Sequence, residues 1–109
     1  MVTLRWQART TVHQNYTAFV HLLAPDGTLV TQWDQPPHNG FLPTRIWRAG
    51  FSLDERYPLT LPPTAQPGSY TVVAGFYDTA GKRLPVRNPD RPTQNSSSDT
   101  FQVGTIQVE

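Results

Sequence analysis

The chain has no cysteine and a single methionine among 109 residues, and only 16% of its residues carry charge. Without cysteine there is no disulfide framework and no thiolate metal site. A domain of this length nevertheless buries roughly two thirds of the surface its unfolded chain exposes, enough for one core without covalent staples. Nine Lys and Arg against eight Asp and Glu leave a net charge of +1, and the basic residues are scattered. A nucleic-acid interface needs a clustered basic face, so nucleic acid is not an expected partner. No apolar run approaches the roughly 20 residues of a membrane-spanning helix, and no signal peptide is evident ahead of the first strand-like run. Helical periodicity is missing as well: no stretch repeats its apolar residues at a period of 3.6.

What is present is turn chemistry and alternation. Eleven prolines and seven glycines punctuate the chain, favouring many turns over long helices. Residues 2–8 alternate Val2, Leu4, Trp6 and Ala8 against Thr3, Arg5 and Gln7, the period of a half-buried strand. Residues 15–24 are apolar on both parities, as in a central strand covered on both sides. "PDG" at 25–27 reverses the chain into 28–34, so the two runs read as a hairpin. Extended segments follow at 51–63, at 68–78 (rich in Val, Tyr and Phe) and at 82–86 after a short turn at Gly81. Residues 87–99 read as a polar loop. The last strand changes parity around Gly104, which suggests a bulge. About seven or eight short strands with regular turns predict an all-β fold: an antiparallel β-sandwich, immunoglobulin-like or jelly-roll-like, in one domain over residues 1–109. In "LPPTAQPGSYTVVAGFYD", Tyr70 opens a strand just after a proline-rich crossing, the setting of a tyrosine corner whose hydroxyl reaches upstream backbone.

Catalytic chemistry finds little support. Asp26 and Asp78 sit in turns, where a short carboxylate accepts backbone hydrogen bonds, and Asp34 and Asp54 have no spaced partner. His13, His21 and His38 include no His-x-His pair, so no metal site is expected; His21, in a central strand, reads as a core or interface histidine. There is no Gly-x-Ser-x-Gly elbow and no glycine-rich phosphate loop. No catalytic residue and no cofactor are expected. Two sequons, Asn15-Tyr16-Thr17 and Asn95-Ser96-Ser97, match the glycosylation pattern, with the second better placed as an acceptor.

The unusual segment is "TQWDQPPHNGFLPTRIWRAG", residues 31–50, with two Trp, one Phe, three Pro and two Gly. Flat rings beside polar groups are what a sugar site needs, because a pyranose face stacks on the ring while amides, carboxylates and guanidinium hold its hydroxyls. Trp33, Asp34, His38, Asn39, Phe41, Arg45 and Trp47 are therefore the candidate ligand contacts. The competing reading is a long crossover pinned by its own side chains, with the rings capping the open end of the sandwich.

Together "YTAFVHLLAPDGTLVTQWDQPPHNGFLPTRIWRAG", "LTLPPTAQPGSYTVVAGFYD" and "GKRLPV" resemble the C-terminal soluble domain of bacterial multi-pass membrane glycosyltransferases, relatives of the protein-mannosyltransferase-like, polyprenyl-phosphate-sugar-dependent enzymes. The resemblance spans residues 2 to 108. It implies a non-catalytic accessory domain excised from a larger membrane protein, on the extracytoplasmic face, contacting glycan or acceptor and the parent's membrane domain. In that family the catalytic acid lies in the membrane half, so the resemblance carries no catalytic residue onto this chain. The alternative is a structural or protein-interaction β-sandwich with no ligand of its own.

Overall fold

A computed structural model describes residues 2–86 and 100–108. Among these residues, seven strands form two antiparallel sheets. The smaller pairs β1 (Val2–Gln7) with β4 (Ser52–Tyr57), from Val2 opposite Tyr57 to Gln7 opposite Ser52. The larger runs β3 (Leu29–Gln35), β2 (Thr17–Leu23), β5 (Gly68–Tyr77), with β6 (Arg83–Leu84) and β7 (Phe101–Val108) end to end along the far edge of β5. Among the described residues the only helical elements are 3-10 turns, at Pro37–Gly40 and Thr44–Ile46, and no helix there is long and apolar enough to cross a membrane.

The alternation read from the sequence sets which side chains meet. Leu4 and Trp6 of β1 and Tyr57 of β4 face Ala18, Val20 and Leu22 of β2 and Tyr70, Val72, Ala74 and Phe76 of β5, and these residues form one buried cluster. Each fully buried large apolar side chain contributes roughly 1.5–3 kcal/mol over its exposed state. The Trp6 indole N–H donates to the buried Tyr57 hydroxyl at 2.7 Å, satisfying two polar groups that the core could not otherwise accept.

The turns follow their chemistry. Asp26 accepts from the Thr28 amide at 3.0 Å and from its hydroxyl at 2.7 Å, which lowers the carboxyl pKa. Asp78 accepts from the amides of Ala80 and Lys82. The Tyr70 hydroxyl donates to the Gln66 carbonyl at 2.7 Å, the bond of a tyrosine corner. Gly68 just before it has φ of 149°, and a Cβ there would come within 2.6 Å of the Pro25 ring. The register of β7 slips between Val72 and Val73, from Gly104 to Gln102, so a bulge lies beside Gly104. A second slip, at Leu22/Leu23, is not anticipated by the sequence pattern. The polar loop 87–99, with the sequon at Asn95, lies outside the described residues; Asn15 is exposed ahead of β2.

The crossover from β3 to β4 is pinned at several points. Thr44 is buried; its hydroxyl donates to the Gln14 carbonyl and accepts from the Tyr16 amide, both at 2.8 Å. The Trp47 indole N–H donates to the Leu42 carbonyl at 3.0 Å. The carboxylate of Glu55, buried on β4, accepts from the Gln35 side-chain amide and from the His38 backbone amide. That contact holds the turn where His38 (φ 49°) and Asn39 (φ 54°) take left-handed conformations, which cost non-glycine residues of order 1 kcal/mol or more.

Candidate functional site

The best-formed constellation lies on the face of the larger sheet turned away from the core. Strand alternation sends Phe19 and His21 outward from β2, since Ala18, Val20 and Leu22 point inward. Pairing places Asp34 and Gly75 on either side of Phe19, Gln32 and Val73 on either side of His21, and Arg83 opposite Tyr77.

Phe19 is 1% exposed although it sits on the outer face. The Arg83 guanidinium stands 4.6 Å from its ring centroid, a cation–π contact. The Tyr77 ring stacks 6.2 Å away, and the His21 ring lies at 4.7 Å. The Tyr77 hydroxyl donates to Asp34 Oδ2 at 2.9 Å, while His21 Nε2 is 4.0 Å from Asp34 Oδ1. These residues with Gln32 and Gly81 line an open depression of about 300 Å³.

Burial is the main influence on both ring groups. It lowers the His21 pKa, against the pull of Asp34 and with the help of Arg83, so His21 is neutral at pH 7. Burial, and then donation to Asp34, raise the Tyr77 hydroxyl, which stays protonated. A neutral imidazole, a carboxylate, a phenol, a primary amide and a guanidinium thus converge on one depression. This set can both donate to and accept from several hydroxyls of a polar ligand. The 4.0 Å between His21 Nε2 and Asp34 Oδ1 exceeds hydrogen-bond reach. No group of three or more metal-ligating side chains occurs among the described residues.

Of the seven contacts expected from sequence, only Asp34 reaches this depression. Trp33, one residue earlier, projects to the opposite face across from Val20, with its ring 40% exposed and its indole donating to Gln35 Oε1 at 2.8 Å. His38 and Asn39 lie in the left-handed turn, with the His38 imidazole half exposed 3.9 Å from Glu55. Phe41 is 84% exposed, and Arg45 projects from the second 3-10 turn. Trp47 is turned inward: it is 4% exposed and packs on Phe51 at 5.2 Å and Phe76 at 6.1 Å between ring centroids. Its ring is core, because the indole N–H is already satisfied by Leu42 and the aromatic cluster covers its faces. Sequence reasoning missed Gln32, Tyr77 and Arg83 as site residues and read His21 as a core or interface histidine. The signal available was parity: Phe19 and His21 share one face of β2, and Gln32 and Asp34 share one face of β3.

No family model, no curated protein and no solved structure matches this chain.

Proposed function

We propose that this chain is a non-catalytic accessory β-sandwich that contacts glycan, or a glycan-bearing acceptor, through the outer face of its larger sheet. The observation that carries the reading is the convergence of Asp34, His21, Gln32, Tyr77 and Arg83 on one depression of about 300 Å³, the lower end of the volume range of small-molecule sites. Three of these groups are held before a ligand arrives, Tyr77 and Asp34 by their mutual bond and Arg83 by its contact with Phe19. Fixed partners lower the ordering cost of binding. A placement beside a membrane glycosyltransferase on its extracytoplasmic side, with the parent's membrane domain as a second partner, rests on the sequence resemblance alone.

A second reading, an interaction module with no ligand of its own, is favoured by a different observation. Phe41 and Ile46 are 84% and 52% exposed on one crossover, and exposed large apolar side chains are what a protein partner covers.

Amide NMR of the chain titrated with a panel of mono- and oligosaccharides separates the two. The glycan reading expects saturable shifts at Phe19, His21, Asp34 and Tyr77, weakened about tenfold by Asp34→Asn, as loss of one charge-assisted hydrogen bond predicts. Silence at millimolar sugar, or shifts indifferent to Asp34→Asn, sinks the outer-face site and leaves the interaction module.

A further inference from the structure

A second opening lies at the other end of the crossover and is independent of the outer-face depression. The Val12 amide donates to the Trp47 carbonyl at 3.0 Å, and the Ala49 amide to the Thr11 hydroxyl at 3.4 Å. Segment 11–13 is thereby held alongside 45–49. Between them is a groove of about 410 Å³ that includes Thr11, Val12, His13, Arg45, Ile46 and Arg48 in its walls.

The charge of this groove is one-sided. Two guanidinium groups and an imidazole line it, and no carboxylate does among the described residues. That is a local excess in a chain whose charges almost cancel, at nine cations to eight anions. Arg5, by contrast, forks onto Asp54 at 2.7 and 3.2 Å, while exposed Arg9 and Arg56 form no ion pair with any described residue. Arg45 and Arg48 form no ion pair with any described residue. Their backbone is ordered in advance, because Pro43 opens the 3-10 turn Thr44–Ile46 and the buried Trp47 anchors its end. The groove is larger than one oxyanion requires, and Val12 and the half-exposed Ile46 offer apolar surface to whatever the anion is attached to.

We infer that this groove binds a phosphate group borne on an organic ligand, with Arg45 and Arg48 as the charge-bearing contacts and the Thr11 hydroxyl and His13 as further hydrogen-bond partners. Guanidinium forks match the oxygens of a phosphate in pairs, and two of them balance a dianion. A soluble phosphate ester and the headgroup of an anionic lipid present the same chemistry.

The test uses the whole chain in two arms. In the first, amide and arginine Nε–H resonances are followed as inorganic phosphate is added, with chloride at equal ionic strength as control. In the second, sedimentation with vesicles of phosphatidic acid in phosphatidylcholine is compared with phosphatidylcholine alone. Both arms are repeated with R45Q/R48Q, two exposed positions, after checking that its thermal midpoint is unchanged. Saturable shifts at residues 11–13 and 45–48 with phosphate but not chloride, at least about tenfold weaker in the variant, support a site for soluble phosphate. Co-sedimentation with phosphatidic acid alone, lost in the variant, supports the same site with a lipid headgroup as source. Equal response to chloride, equal binding by the variant, or no response in either arm overturns the inference.

Discussion

Trp47→Ala is the substitution that bears most directly on whether the aromatic crossover is a scaffold or a platform. The ring is 4% exposed, lies against Phe51 and Phe76, and donates its indole N–H to Leu42. Removing a buried aromatic ring costs about 3–5 kcal/mol, of which roughly 0.5–1.5 kcal/mol corresponds to the lost hydrogen bond. A domain of this size holds about 5–15 kcal/mol in total, so the variant loses a large fraction of its stability. In urea, with a slope of about 2 kcal/mol per molar, the midpoint falls by about 2 M at unchanged slope. Far-UV circular dichroism follows the transition without depending on the deleted fluorophore. Trp33→Ala is the matched control: its ring is 40% exposed and held by one hydrogen bond to Gln35, so its cost stays within about 1 kcal/mol. If Trp47→Ala leaves no folded population to titrate, Trp47→Phe keeps an aromatic ring, loses the indole bond and is expected to cost about 1–2 kcal/mol. A loss below about 1 kcal/mol for Trp47→Ala, or equal losses at the two tryptophans, refutes the assignment of Trp47 to the core.

Two titrations test the electrostatics. Burial pushes the Tyr57 hydroxyl from 10.0 up to about 12, so the folded state resists its ionisation; the associated stability is intact below pH 10 and is lost as pH rises toward 12. Urea midpoints in Tyr57→Phe therefore fall less steeply over that alkaline window than in the parent chain, and parallel slopes contradict the shift. At His21 the sign is opposite: burial lowers the pKa below the ordinary 6.5, so its contribution is intact above pH 6.5 and is lost as the pH falls. Imidazole NMR titration should show Asp34→Asn lowering the His21 pKa further and Arg83→Gln raising it; a rise with Asp34→Asn excludes the arrangement of charges described.

The fold was largely legible because alternation and turn residues are local signals. The hairpin at "PDG" is a two-sided pattern around a turn, and Tyr70 after Pro67-Gly68 announced its bond to Gln66. The slip at Leu22/Leu23 was not legible, because nothing in "HLLAPDGTLV" marks a bulge as Gly104 does in the last strand. Trp47 was readable only as an aromatic in a loop. Whether such a ring points in or out depends on Phe51 and Phe76, and on where the 3-10 turn leaves the indole. Glu55 appeared as one acid among eight; its anchoring of the His38 turn depends on the second sheet facing the first.

The site was the least legible part, and strand geometry gives the reason. Trp33 and Asp34 are neighbours in sequence, and for that reason on a strand they point to opposite faces. The dense stretch 31–50 is thus divided: Gln35 reaches buried Glu55 and accepts from the half-exposed Trp33 indole, while Gln32 and Asp34 go to the outer face. The outer face gains its other members from β2, β5 and β6, which only the sheet brings together. Phe19 is the sign that something must assemble there, since a ring buried at 1% exposure on the solvent side of a sheet needs a cover. That cover is the Arg83 guanidinium with the His21 and Tyr77 rings. Arg83 and Tyr77 combine contact with Phe19 with polar atoms of their own. Under the glycan reading, the residues that keep Phe19 dry are therefore also the ones expected to meet the ligand, and their packing orders them beforehand.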